Sequence, residues 1–340
     1  MLGFMFNMIS TFFASFLRRY FDRVPKVSWS QRSKQPSLEF EPPKTIPSRS
    51  FLSKIPSNSW DSHMHVIDPQ GFPLSQDAQY VPKTHLLSSA LAFEKTVSVR
   101  NIVLVQPSIY GYDNSCLLSA LCRLGPSRAR GIVTLDPKKM CVKTLEEWHE
   151  MGVRGVRVNL QSVGRTMEKG ELEEALRKYA DVIRPFGWVL QLYVPLGTVT
   201  ELERIIPTLG IRVVFDHFGH PALPPVSEEE KGRGFDPYLL PGFASLVKLL
   251  EEGSTYVKMS APYRISKSAG YQDLEPFAKE LLRVAGKKRV VFATDWPHTR
   301  FEGLDIKPFV KQVTGWCEGD EVLIERVFKG NAEDLWGVVR

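Results

Sequence analysis

His63 and His65 stand two residues apart in Trp60-Asp61-Ser62-His63-Met64-His65, where proline-rich sequence first gives way to apolar runs. In an extended strand, alternate side chains share a face, so this spacing aims both imidazoles the same way. Two imidazoles that close can grip one metal ion or polarise one substrate oxygen. A later apolar run, Val213-Val214-Phe215-Asp216-His217, also ends in a histidine, and Val290-Val291-Phe292-Ala293-Thr294-Asp295 ends in an aspartate. A His-x-His pair alone in a strand is most often incidental. Joined with His217 and Asp295 it reads as a hydrolytic site, with electrophile holders plus a base.

The elements that must bring these residues together follow from the hydrophobic pattern. From Trp60 onward, short β-rich runs alternate with amphipathic helical stretches. Strands are expected at 60–66, 100–106, 129–135, 153–159, 187–194, 211–217, 254–260 and 289–295. Helices are expected at 83–98, 138–150, 171–184, 198–207, 238–252 and 273–285. In the third of these, Leu172, Ala175, Leu176 and Tyr179 share one face opposite the charges. Eight strand–helix units over residues 60–340 predict an α/β fold, a (β/α)₈ TIM barrel, whose usual size is ~250 residues. A doubly wound open sheet is the runner-up. The barrel is preferred because polar residues cluster at the ends of seven of the eight strands. Closure gathers those ends at one mouth and sets strand eight beside strand one, Asp295 near His63 and His65.

Charge and cysteine usage narrow the class. The chain of 340 residues has a formal net charge of +6, but residues 1–59 hold nine Lys/Arg against three Asp/Glu and account for all of it. The remainder is neutral, which leaves no electrostatic case for nucleic acid. Four cysteines (Cys116, Cys122, Cys141, Cys317) lack C-x-x-C spacing, against a structural zinc site or a disulfide framework. Residues 1–23 open with an uncharged apolar and aromatic run followed by Arg18, Arg19 and Arg23. That run is short for a membrane span, and its positive charge comes after it rather than before, unlike a secretory signal. A mitochondrial targeting segment fits best; a membrane-associating anchor, or an unstructured extension on a cytoplasmic protein, are the alternatives. Membrane contact is expected through residues 1–23 alone. Residues 24–59, with six prolines and many serines, read as a disordered linker.

Four motifs carry a family resemblance. Asp61-Ser62-His63-Met64-His65, Phe215-Asp216-His217-Phe218-Gly219-His220-Pro221, Val257-Lys258-Met259-Ser260-Ala261-Pro262-Tyr263-Arg264 and Ala293-Thr294-Asp295-Trp296-Pro297-His298 resemble the amidohydrolase superfamily. They are most similar to its branch around 2-pyrone-4,6-dicarboxylate lactonase. Gly330-Asn331-Ala332-Glu333-Asp334-Leu335 is similar to that superfamily's closing motif. The resemblance implies that His63, His65 and His217 surround the reacting centre and that Asp295 takes a proton from water. It further implies a substrate pocket lined by Tyr80, Ser108, Arg157, Tyr193, Arg264 and His298. Relatives that bind Zn²⁺ or a similar ion add a histidine on strand five or a lysine on strand four. Here those strands read Trp188-Val189-Leu190-Gln191-Leu192-Tyr193-Val194 and Arg154-Gly155-Val156-Arg157-Val158-Asn159 and offer neither. No metal is therefore expected to be required. If a single divalent ion such as Zn²⁺ binds, its ligands are expected to be His63, His65, His217 and Asp295.

The expected substrate is a small molecule, a lactone bearing a carboxylate and derived from an aromatic compound. Ring opening needs an activated water, a polarised carbonyl and a donor for developing negative charge, and the three histidines with Asp295 supply these. Arg157 and Arg264 offer forked donors suited to a substrate carboxylate. Arg154, of opposite parity to Arg157, is expected to face the helices. Lys258 is expected to be a buried satisfied lysine or to snorkel outward, Tyr193 to donate to substrate or to pack, and Gln191 to sit deeper. His85 and His149 are expected in solvated helical stretches. Two features depart from the lactonase pattern: no basic residue follows Arg157 until Arg165, and His220 stands where an arginine is expected. Both weaken the case for a dicarboxylate. The competing readings are a metal-dependent non-oxidative decarboxylase, a sugar lactonase and a barrel that binds a ligand without chemistry.

Overall fold

All eight expected strands form, and all run parallel. They are β1 Trp60–Met64, β2 Asn101–Val105, β3 Ala129–Val133, β4 Val153–Asn159, β5 Val189–Tyr193, β6 Val213–Phe215, β7 Thr255–Met259 and β8 Val290–Phe292. Their spatial order is their chain order, β1 through β8. The computed structural model describes residues 51–161, 169–225 and 235–338. The expected targeting segment, most of the expected linker and Arg165 lie outside them. Among the described residues, no helix is long and apolar enough to cross a membrane.

The ring closes where β8 meets β1. The amide of His65 donates to the Trp296 carbonyl at 2.8 Å and that of Asp295 to the His63 carbonyl at 3.0 Å. Asp61 clasps the same seam. Its carboxylate accepts from the amides of His63 and Thr294, both at 3.0 Å, and from the Thr294 hydroxyl. A fully buried acid with three donors trained on it locks two strands that are 233 residues apart in the chain.

Strand parity sorts the core into two apolar clusters. Outward residues such as Ile102, Leu104, Leu190 and Phe292 pack under the helices. Helix α1, Phe243–Glu252, presents Phe243, Leu246, Val247 and Leu250 to them; helix α2, Glu275–Ala285, presents Phe277, Ala278, Leu281 and Leu282. Inward residues Val103, Ile132, Val189, Val214, Tyr256 and Val291 fill the barrel with Trp60, Ala332, Leu335 and Trp336. Gly155 makes room for them: a Cβ there would meet the Val189 carbonyl oxygen at 2.5 Å and Ile132 Cδ1 at 2.8 Å. The Gly330–Leu335 motif plugs the barrel floor, anchored by Asn331 Nδ2 donating to the Gly286 and Val290 carbonyls, each at 2.8 Å.

Three sequence expectations need correction. The folded body begins before Trp60: Phe51–Lys54 forms a 3₁₀ turn, and Ile55 and Ser59 are buried, so the expected linker extends too far. His85 is not helical; it pairs with Ile67 in an isolated bridge, and its ring meets Trp296 edge-on. His149 is helical but not simply solvated. Its ring lies parallel to that of Trp188, whose Nε1–H donates to its Nδ1 at 2.9 Å. All four cysteines are free thiols, two of them buried.

Candidate active site

Three imidazole Nε2 atoms and one carboxylate oxygen converge at the carboxyl ends of β1, β6 and β8. His63 and His65 Nε2 lie 3.3 Å apart, and each is 3.5 Å from Asp295 Oδ1. His217 Nε2 is 3.9 Å from the same oxygen. The backbone is bent to aim them: His217 and Asp295 have φ of 51° and 63°, a region non-glycine residues seldom occupy.

Each histidine is held from behind by its Nδ1. That of His65 lies 2.7 Å from the Val105 carbonyl, an acceptor only, so Nδ1 carries the proton and Nε2 presents a lone pair to the centre. His217 Nδ1 pairs with Ser260 Oγ at 2.8 Å. His63 Nδ1 faces both Asp216 Oδ1 and Lys258 Nζ, each at 3.3 Å. Burial, reinforced at His63 by the Lys258 charge, holds His63 well below the ordinary imidazole range and brings His217 down to about 3. Both rings are therefore neutral near pH 7.

Asp295 is the charged member. Its Oδ2 accepts from the Tyr263 hydroxyl at 2.6 Å and from Arg264 Nε at 3.0 Å, leaving Oδ1 for the histidines. Burial pushes Asp295 toward the neutral form, but the Arg264 guanidinium prevails and holds it well below the usual carboxylate range. Beneath the centre, Asp216 binds two cations at once, Lys258 at 3.2 Å and Arg157 at 3.2 Å. Gln191 ties this layer together: its Oε1 accepts from Lys258 at 2.6 Å and its Nε2 donates to Asp216 at 3.0 Å. Burial lowers Lys258 to about 8, with Asp216 opposing the shift. Of the two orientations expected for Lys258, the buried satisfied one is observed, directly behind a catalytic candidate.

The cavity above is lined by His65, Tyr80, Ser108, Arg157, Tyr193, His217, Arg264 and Asp295, together with Thr299 and Arg300. Nine of the ten expected site residues thus meet in one place, His63 lying just below the cavity wall. His298 does not line it. That residue is 3% exposed, packed edge-on against Phe93 and Tyr263, with its Nε2 lacking a protein partner. His220 reaches Tyr193 at 3.5 Å instead of offering the charge expected at its position; burial holds it near 4. Arg154 turns to the His149 and Val153 carbonyls, as its parity predicts. The sequence reading passed over Asp216, Tyr263, Asp61 and Arg300. Asp216 sits beside a named histidine, a signal that could have found it.

A closed parallel barrel with imidazoles from β1 and β6 facing an aspartate from β8 defines a hydrolase-type barrel. The chain belongs to the amidohydrolase family, whose profile matches residues 60–338. It is 31% identical over 260 residues to 4-sulfomuconolactone hydrolase of Hydrogenophaga intermedia, covering 74% of this chain and 78% of that one. With 2-pyrone-4,6-dicarboxylate hydrolase of Comamonas testosteroni it shares 28% identity over 256 residues, covering 72% and 78%. The crystal structure of a Pseudomonas putida protein described as a 2-pyrone-4,6-dicarboxylic acid hydrolase superposes with a TM-score of 0.68. That match has 29% identity and covers 84% of this chain and all of the other.

Proposed function

We propose that this protein opens a carboxylate-bearing lactone derived from an aromatic compound, with Asp295 as the general base. The observation that carries the reading is the division of labour on Asp295: Oδ2 is tied to Tyr263 and Arg264 while Oδ1 faces the cavity with the histidines. A water at Oδ1 gives up its proton as it attacks the ring carbonyl. General-base help of this kind is worth about 10²–10⁴ in rate. The developing oxyanion is met by donors from His63 or His217, each oxyanion donor typically worth ~3 kcal/mol. When the substrate carboxylate draws on Arg264, it competes with Asp295 for that guanidinium, which raises the basicity of Asp295 as the complex forms.

The donor set fits a single divalent ion: His63, His65, His217 and Asp295 direct Nε2, Nε2, Nε2 and Oδ1 to one point, and three of these groups form a metal-compatible cluster. Such an ion would supply Lewis-acid polarisation of the carbonyl. The surrounding charges favour turnover without it. Lys258, Arg157 and Arg264 outnumber Asp216 and Asp295, so the centre is already electropositive. A hydrogen bond from Lys258 Nζ to His63 Nδ1 puts the ring hydrogen of neutral His63 on Nε2, facing His65 Nε2 at 3.3 Å and Asp295 Oδ1 at 3.5 Å.

The test follows 2-pyrone-4,6-dicarboxylate absorbance with chelator-stripped protein, before and after Zn²⁺ addition. The stripped protein is expected to hydrolyse the lactone. Activity restored by Zn²⁺ alone would assign the cluster a metal and bring back the decarboxylase reading; no activity in either state would remove this lactone as the substrate.

A further inference from the structure

The cavity has a cation that nothing above uses. Arg300 follows β8 at the cavity rim and lines the same space as Arg157 and Arg264. It is exposed, and among the described residues no carboxylate pairs with it. Its guanidinium sits 4.5 Å from the centre of the Tyr80 ring, which itself lines the cavity. Cation–π contact on an otherwise mobile side chain gives it a fixed resting place with its donors unclaimed. The backbone bends to bring it there: Asp295, His298 and Arg300 all have positive φ, at 63°, 60° and 69°.

The other two arginines are partly committed. Arg157 leans on Asp216 at 3.2 Å and Arg264 on Asp295 at 3.0 Å. Around and directly beneath the cavity, four fixed cations (Arg157, Lys258, Arg264, Arg300) face two carboxylates (Asp216, Asp295), an excess of two positive charges. A ligand with a single carboxylate leaves half of that excess uncompensated.

We propose that Arg300, held by Tyr80, is a specificity-determining residue of this chain: it takes the second anionic group of a doubly charged lactone, the first lying near Arg157 and Arg264. The inference rests on the lactonase reading for the substrate's ring, but not for the subsite. It replaces the basic residue whose absence after Arg157 spoke against a doubly charged substrate. The second charge comes from the far side of the mouth, out of the loop after strand eight.

Kinetics on 2-pyrone-4,6-dicarboxylate and on 2-pyrone-6-carboxylate, with wild-type and Arg300→Gln protein, test it. The preference for the dianion, as a ratio of kcat/KM values, is expected to fall roughly tenfold through KM, the loss of one charge-assisted contact at a solvated rim. Arg300→Lys should keep part of that preference, and Tyr80→Leu should lose part of it. An equal loss on both lactones, or none on either, overturns the subsite. Calorimetric binding of pyridine-2,4-dicarboxylate and pyridine-2-carboxylate separates this outcome from failure of the lactonase reading, because neither probe has an ester to hydrolyse. A wild-type preference for the dicarboxylate that disappears in Arg300→Gln supports the subsite even if no lactone is turned over. Equal binding of the two probes, or binding of neither, overturns it.

Discussion

The two ends of the barrel interior are built on opposite principles. At the floor, Val103, Ile132, Val189, Val214 and Val291 close on Trp60 and Trp336, with no carboxylate or imidazole among them. A few ångströms above lie Lys258, Asp216, Arg157, Gln191 and Asp295, nearly all hidden from solvent. Burying charge costs several kcal/mol per ion unless partners compensate. The upper layer meets that cost with mutual contacts of 2.6–3.3 Å, whereas the lower layer contributes stability by excluding water. Stability and chemistry are thus separable along the barrel axis. Substitutions at the floor should move melting without touching the reaction, and substitutions at the mouth should do more than unfold the protein.

The sharpest test is Asp295→Asn. Turnover should fall by about 10²–10⁴ while binding of a dicarboxylate analogue, measured by calorimetry, stays within a few-fold. An unchanged kcat would remove Asp295 from the chemistry. Next in size is Asp216→Asn, which leaves Lys258 and Arg157 facing each other without their shared anion. Urea unfolding should show a loss of about 3–5 kcal/mol, and adding Lys258→Met should recover part of it. Additive losses in the double variant would mean the two groups do not act as one unit. At the floor, Val214→Ala should cost roughly 2 kcal/mol with kcat unaltered, since only apolar volume is removed. A kcat deficit there would break the separation.

The smallest expected effect is an absence. A histidine whose affinity for protons is lowered stays neutral further into acid, so protonation of His63 or His217 should not be felt as pH falls through about 6.5, the ordinary imidazole value. Imidazole resonances of His63 and His217, followed by NMR, should stay unchanged through that region and move only in stronger acid. A midpoint near 6.5 in either resonance would show that the ring behaves as if solvated.

Much of this contrast was legible in the chain. Period-two apolar runs set the eight strands, and residues at their ends located the mouth, because strand parity and barrel closure are local rules applied eight times. What parity could not reveal was which buried polar groups face one another. Lys258 on β7 and Asp216 just past β6 are set side by side by the pairing register of those two strands, and both reach His63 of β1 only when the barrel closes. His298 was misplaced for a related reason: positive φ at Asp295 and His298 turns the loop so that the aspartate enters the cavity and the histidine passes behind Tyr263. Residue order in a motif does not carry that rotation.

The Trp336 indole lies 5.5 Å beneath the Lys258 ammonium and donates from Nε1 to Ser62 Oγ at 3.1 Å. Ser62 belongs to the first strand, and Trp336 lies 274 residues further along the chain. During translation, then, strands one to seven leave the ribosome with a charged layer that lacks the Trp336 indole beneath it and Asp295 beside it. The nascent barrel cannot rehearse its chemistry in parts: the indole that closes the charged layer from below arrives only after every residue of the site has been made.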